Sequence, residues 1–233
     1  MLDTFVLTYD TPEGIVHKKT QDILLNLKAK GYDDVIVYAT PWVERKNFKS
    51  LIPHRHFEPI NVSAEDLCKR LGYVYSPIPI ETVITQMDVY SDIHLLIGGA
   101  GILPKELCDT NRVINSHPAY LPYVRGLDSL KWAIYDGKPI GVTSHIISDE
   151  CDAGILIKRE FVPLYSWDTF HSVARRQYDM EINMLVDALE DIKTADLTHE
   201  LTTSKSEAHR RMSHHHEMRL MKRFRRMIDK VQI

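Results

Sequence analysis

The chain of 233 residues is 44% apolar and 26% charged with a formal charge of -3, which excludes disordered and fibrous classes and implies a substantial core. No apolar run approaches the roughly 18 to 20 residues that cross a bilayer, and the N-terminus lacks a signal-peptide layout, so a cytoplasmic location is expected. Cys68, Cys108 and Cys151 lie far apart without a C-x-x-C pair, which predicts reduced thiols and no thiolate metal site.

Through the first half, short β-rich runs alternate with amphipathic segments, the pattern of βαβ units and a mostly parallel sheet. Thr4 to Tyr9 reads as the first strand. A helix over about residues 20–30 follows, with Ile23, Leu24 and Leu27 on one face and Gly31 ending it. Val35 to Ala39 is the second strand. Residues 41–59 form a long basic and aromatic connection without periodicity, containing Trp42, Arg45, Lys46, His54, Arg55 and His56; loops of this length are often functional. Ser63 is placed to cap a helix that Gly72 terminates, and Val74-Tyr75 opens a further short strand.

Ile93 to Ile97 is almost continuously apolar and runs into Gly98-Gly99-Ala100-Gly101, a buried strand opening into a tight turn. Arg112 to Asn115 is the next strand, ending in Ser116-His117-Pro118. Leu127 to Tyr135 has helical spacing. Residues 141–147 and 155–162 are two more strands around the acidic turn Ser148 to Gly154. Trp167-Asp168-Thr169 starts a long helix to about Ile192.

Residues 193–206 read as a linker. Beyond it, Leu220, Met221, Phe224, Met227, Ile228 and Val231 make an apolar stripe under a basic face. This helix is expected to pack on the body or on a second subunit, as in a homodimer. The predicted partition is a catalytic domain over 1–192 and a linker with a C-terminal helical arm over 193–233. His214-His215-His216 cannot face one ion together, because neighbours on a helix are splayed around its axis, and a solvated face is expected. The overall charge gives no field that would select nucleic acid.

Polar residues suited to proton chemistry gather at strand ends. In open α/β sheets, ligands bind outside the carboxyl ends of strands, so Asn115 and His117, two positions apart, point the same way into the expected crevice. An imidazole moves protons near neutrality, and an amide can donate to developing negative charge on oxygen. A carboxylate completes the set, and Asp152 in the acidic turn is the candidate.

The blocks Asn115-Ser116-His117-Pro118, Leu121-Pro122-Tyr123-Val124-Arg125-Gly126, Gly141-Val142-Thr143 and Asp152-Ala153-Gly154 together resemble the folate-dependent formyltransferases. The resemblance covers roughly residues 93–162. It implies a Rossmann-like α/β formyltransferase fold, a mostly parallel sheet flanked by helices. It also implies a triad of Asn115, His117 and Asp152 and a 10-formyltetrahydrofolate donor. An amine would attack the formyl carbon, with Asn115 and His117 stabilising the oxyanion and His117 and Asp152 moving the proton. By position, Ala100, Gly101 and Leu103 with Ser148 and Asp149 would hold the pterin.

Within this family, the segment Tyr9 to Lys19 is a poor phosphate nest, having two acidic residues and one glycine, although Lys18 and Lys19 could partly substitute. That weakens glycinamide ribonucleotide as acceptor. The helical tail is unlike the tRNA-gripping β-barrel domain of methionyl-tRNA formyltransferases. A nucleotide-linked amino sugar is the expected acceptor, its diphosphate met by Arg45, Lys46, His54, Arg55 and Arg125. The alternatives are glycinamide ribonucleotide or another small amine, and, from a different class, a folate-binding scaffold without catalysis.

Overall fold

The computed structural model describes residues 2–44, 48–54, 60–201 and 207–231. Its elements in chain order begin with β1 (Thr4–Tyr9), α1 (Lys18–Ala29), β2 (Val35–Thr40), α2 (Ala64–Leu71), β3 (Val74–Pro77) and α3 (Ile80–Val89). The central part comprises β4 (Leu95–Ile97), α4 (Lys105–Cys108), β5 (Val113–His117), β6 (Arg125–Gly126), α5 (Ser129–Asp136) and β7 (Gly141–Ile147). The last part comprises β8 (Gly154–Phe161), α6 (Phe170–Asp191), β9 (Glu200–Leu201), β10 (Ala208–His209) and α7 (His214–Ile228).

The main sheet runs β3-β2-β1-β4-β5-β7-β8-β9. From β3 to β5 every neighbour is parallel, and from β5 onward the pairings are antiparallel. The chain order reverses direction across the sheet at β1, which lies between β2 and β4, so a crevice opens at their carboxyl ends.

Alternation along each strand sends side chains to two faces. On one face Val6, Val37, Leu96 and Ile114 pack with α1, α2 and α6; on the other Phe5, Leu7, Leu95 and Val113 pack with α3 and α4. A third cluster joins α5, the first half of α6 and α7, including Val124, Leu130, Val142, Phe170, Leu220 and Phe224. The arm's apolar stripe is therefore buried on the chain's own body.

Local signals account for most boundaries. Ser63 accepts from the Asp66 N–H at 3.0 Å to cap α2, and Gly72 at φ 77° ends it. Thr169 and Ser172 form a reciprocal capping box at the start of α6. Two expectations shift. The helix read from Leu127 starts at Ser129, because Asp128 takes φ 54° and turns its carboxylate to the Met212 N–H at 2.9 Å. The stretch read as a linker contributes β9, which pairs with β8 at the sheet edge.

Candidate functional site

Asn115 and His117 lie on β5, on the sheet face shared with Val113. This strand is continuous with the core through its β-branched start, so its polar end is rigidly aimed. Across the antiparallel pair, Asn115 faces His145 and His117 faces Thr143, so all four side chains lie on one face. Thr143 fixes the chain just past His117, accepting from Leu121 N–H at 3.0 Å and donating to the Ala119 carbonyl at 2.8 Å.

The turn from β7 to β8 folds back over this face and delivers Asp152. Its Oδ1 lies 3.1 Å from His117 Nδ1, and its Oδ2 accepts from the Gly126 N–H at 2.6 Å and the Cys151 thiol at 3.4 Å. Asp152 adopts φ 51°, in the left-handed region that an Asp tolerates better than most residues. Burial pushes its carboxyl upward, but the His117 charge and the Gly126 N–H outweigh that and hold it below the ordinary carboxylate range. The thiol of Cys151, pushed up to about 11 by burial and by Asp152, is a poor nucleophile.

His145 is fully buried. Its Nδ1 lies 3.0 Å from the Ala153 carbonyl, while Nε2 has no hydrogen-bond partner among the described residues. Burial lowers its pKa to about 4 against the opposing pull of Asp152, so it is neutral and clamps the turn that carries Asp152.

Of the residues expected around a pterin, Ala100 and Leu103 pack in one cluster with Ile97 and Ile147 beneath the acidic turn. Ser148 donates its N–H to the Ala153 carbonyl at 3.2 Å, and Asp149 lies 3.4 Å from Lys105 on α4, linking the two loops. Gly101 is exposed beside Ile102, whose side chain is wholly in solvent. A cleft of about 480 Å³ is lined by Ile147, Ser148, Asp149, Glu150, Glu200 and Leu201.

The expected acceptor cations are less well served. Arg45, Lys46 and Arg55 lie outside the described residues. His54 lines a small cavity with Pro118, Ser129 and Glu181, close to the catalytic strand. Arg125 is not a surface cation: it is buried, and its guanidinium donates to the Cys151 carbonyl through Nε at 3.0 Å and through Nη2. Lys18 pairs with Asp22, and Lys19 lies 2.8 Å from Glu181 and donates to the Ser116 carbonyl at 3.4 Å, so neither replaces a phosphate nest. Beside them Trp42 meets Tyr9 edge-on at 4.9 Å, and Tyr9 meets His17 at 5.1 Å, forming an aromatic wall along Gly99.

Of the arm's histidines, His214 and His215 are exposed, as a solvated face predicts, and His216 is half-buried. His214 bonds the Lys49 carbonyl at 2.9 Å, while His216 lies 2.7 Å from Ser213 Oγ and edge-on to Tyr135. Sequence reasoning missed the group these anchor. Lys131, at 0% exposure, pairs at 2.5 Å with Glu217, also at 0%. Glu217 accepts further from Ser50 Oγ and from the Leu51 N–H at 2.8 Å. A lysine adjoining Leu130 on an apolar helix face, with an acid inside the arm's apolar stripe, is the only signal that could have found the pair.

Residues 81–189 match the formyl transferase family model. The dTDP-4-amino-4,6-dideoxyglucose formyltransferase of Mycobacterium tuberculosis is 35% identical over 95 residues, 41% of this chain and 41% of that protein. The methionyl-tRNA formyltransferase of Fusobacterium nucleatum is 33% identical over 113 residues, 47% of this chain and 36% of its own length. The chain thus spans less than half of these curated relatives. In fold it superposes, with a TM-score of 0.61 at 14% identity, on a sugar 3N-formyl transferase solved with dTDP and 5-N-formyl-THF, covering 91% of this chain and 70% of that one. The matched segment, the β5 strand and acidic turn included, is thus similar to the formyl transferase family.

Proposed function

We propose that the protein is an N-formyltransferase that moves a formyl group from 10-formyltetrahydrofolate to the amine of a nucleotide-linked amino sugar. The observation that carries this reading is the His117–Asp152 contact at 3.1 Å on the face shared with Asn115, inside a segment that matches the formyl transferase model. The relative named for a dTDP-linked amino sugar favours that acceptor class.

Ala100, Leu103 and Ile147 offer an apolar wall, and the backbone of Ser148 and Asp149 a polar edge, which suits a flat heterocycle with hydrogen-bonding groups. The bound folate would supply an activated formyl carbon. Asn115 would donate to the oxygen that gains negative charge, a contribution of about 2.7 to 4 kcal/mol for one such donor. His117 has Nδ1 turned to Asp152, so proton transfer falls to Nε2. As the amine nitrogen bonds to the formyl carbon and the old carbon–nitrogen bond breaks, His117 would carry the amine proton to the departing nitrogen. Asp152, held ionised, would orient the ring and stabilise its charged form.

The test is incubation with 10-formyltetrahydrofolate and, separately, dTDP- and GDP-linked amino sugars, glycinamide ribonucleotide and methionyl-tRNA, with mass spectrometry of each acceptor. A formylated nucleotide sugar is expected. Formylation of glycinamide ribonucleotide alone would overturn the acceptor, and formylation of none would overturn the activity.

A further inference from the structure

We propose that the C-terminal arm is a positioning element of the catalytic site, and that Asp128 is the residue through which it holds the strand that orients Asp152. This rests on the role given to Asp152 above. Strand β6 is two residues long, too short to keep its place unaided. One side of it faces the catalytic turn, where Gly126 donates to Asp152 Oδ2 and Arg125 to the Cys151 carbonyl. The other side faces the arm. There β10 runs parallel to it, Ala208 beside Arg125 and His209 beside Gly126, and Leu127 donates its N–H to the His209 carbonyl at 2.8 Å.

The approach is too close for any side chain. A Cβ on Gly126 would stand 2.2 Å from the His209 carbonyl oxygen, and its φ of 86° already disfavours other residues. Directly after this strand, buried Asp128 accepts from the Met212 N–H at 2.9 Å, with Arg211 at 3.4 Å and Lys131 at 3.8 Å. Ser129, the next residue, donates to the Pro118 carbonyl at 2.7 Å, one position past His117. Asp128 touches none of the reacting groups. It clasps the arm to the segment beside Gly126, and Met212 is buried in the core next to that clasp.

The experiment compares Asp128→Asn with Phe224→Leu. Asparagine keeps the shape of Asp128 and tolerates its left-handed backbone, but loses the charge. Phe224 lies on the same arm, meets Phe170 of α6 edge-on at 5.9 Å, and makes no hydrogen bond to β6 or Asp128 through its apolar side chain. Exchange of the Gly126 amide hydrogen is followed by NMR without substrates, relative to core amides such as Ile114, and kcat and KM are measured alongside. In Asp128→Asn, Gly126 exchange is expected to rise about tenfold or more relative to the core, and kcat to fall about tenfold with KM little changed. In Phe224→Leu the Tm falls while Gly126 keeps its rank among the core amides. Unaltered relative exchange of Gly126 in Asp128→Asn, or an equal rise in Phe224→Leu, would overturn the proposal. If Asp128→Asn does not fold, Arg211→Gln is read by the same criterion. Absence of formyl transfer in the parent protein counts against the proposed function alone, since amide exchange needs no substrate.

Discussion

Two buried acid–base pairs divide the labour in this molecule. His117–Asp152 sits at the edge of the core, with side chains 9% and 12% exposed, and Lys131–Glu217 is sealed at 0% on both sides. In the first pair the carboxylate is oriented by a backbone N–H and a thiol, and its partner is a group that exchanges protons near neutrality. In the second the carboxylate collects Lys131, Ser50 and the Leu51 N–H inside the core. The same pairing of opposite charges thus stands at the edge of the core in one place, where the proposed function needs it within reach of substrate, and inside the core in the other, where it fixes geometry.

The comparison is broken most sharply by His117→Ala. Removing the proton carrier is expected to lower kcat by about 10² to 10⁴ while the melting temperature changes little, checked by steady-state turnover and thermal unfolding. Unimpaired turnover would remove His117 from the chemistry.

Glu217→Ala should do the reverse. It takes from the buried Lys131 ammonium its close partner and leaves only Ser50 and the more distant Asp128 beside it, with an expected cost of about 3 kcal/mol in urea unfolding. The double replacement Lys131→Met with Glu217→Leu is expected to recover most of that loss, since apolar side chains of similar volume satisfy the same space. If the single variant were as stable as the parent, the pair would not be sealed.

The smallest effect is a pH dependence that separates the elements. His145 is a base whose folded pKa, about 4, lies below its ordinary 6.5, so the unfolded chain takes up the proton first as pH falls. Stability is therefore lost between about pH 6.5 and 4, on the order of 3 kcal/mol when fully expressed. Asp152 and Glu217 are both held below the ordinary range; their contribution is present above about pH 4 and disappears only as pH drops through their lowered folded values. Urea midpoints measured against pH should flatten between 6.5 and 4 in His145→Gln and keep the acid limb. A slope identical to that of the parent protein would deny His145 its buried neutral state.

Much of the parallel half was legible, because its determinants are local. Ser63 and Gly72 announce the ends of α2, and Thr169 the start of α6, by caps that involve neighbours in sequence. Asn115, His117 and Asp152 could be picked out because strand ends and an acidic turn concentrate polar groups against an apolar background, and the geometry brings His117 and Asp152 together. What stayed hidden depends on residues far apart in the chain. Arg125 reads as a cation for a diphosphate until the Cys151 carbonyl is seen against it. Lys131 and Glu217 are ordinary surface residues by composition, and only the docking of α7 on α5 buries them. Helix α3 escaped notice for another reason: its buried Val83 and Met87 are spaced helically but stand among β-branched residues that blur the period.

The contact between Gly126 and His209 also has a history within each molecule's synthesis. The chain grows from its N-terminus, and β5, β6 and the acidic turn emerge well before residue 209. Until that residue arrives, one edge of β6 is open, and closing it means joining segments from the middle and the far end of the chain, a late event for a growing polypeptide. The nascent protein thus carries Asn115, His117 and Asp152 before β10 is there to close the open edge of β6.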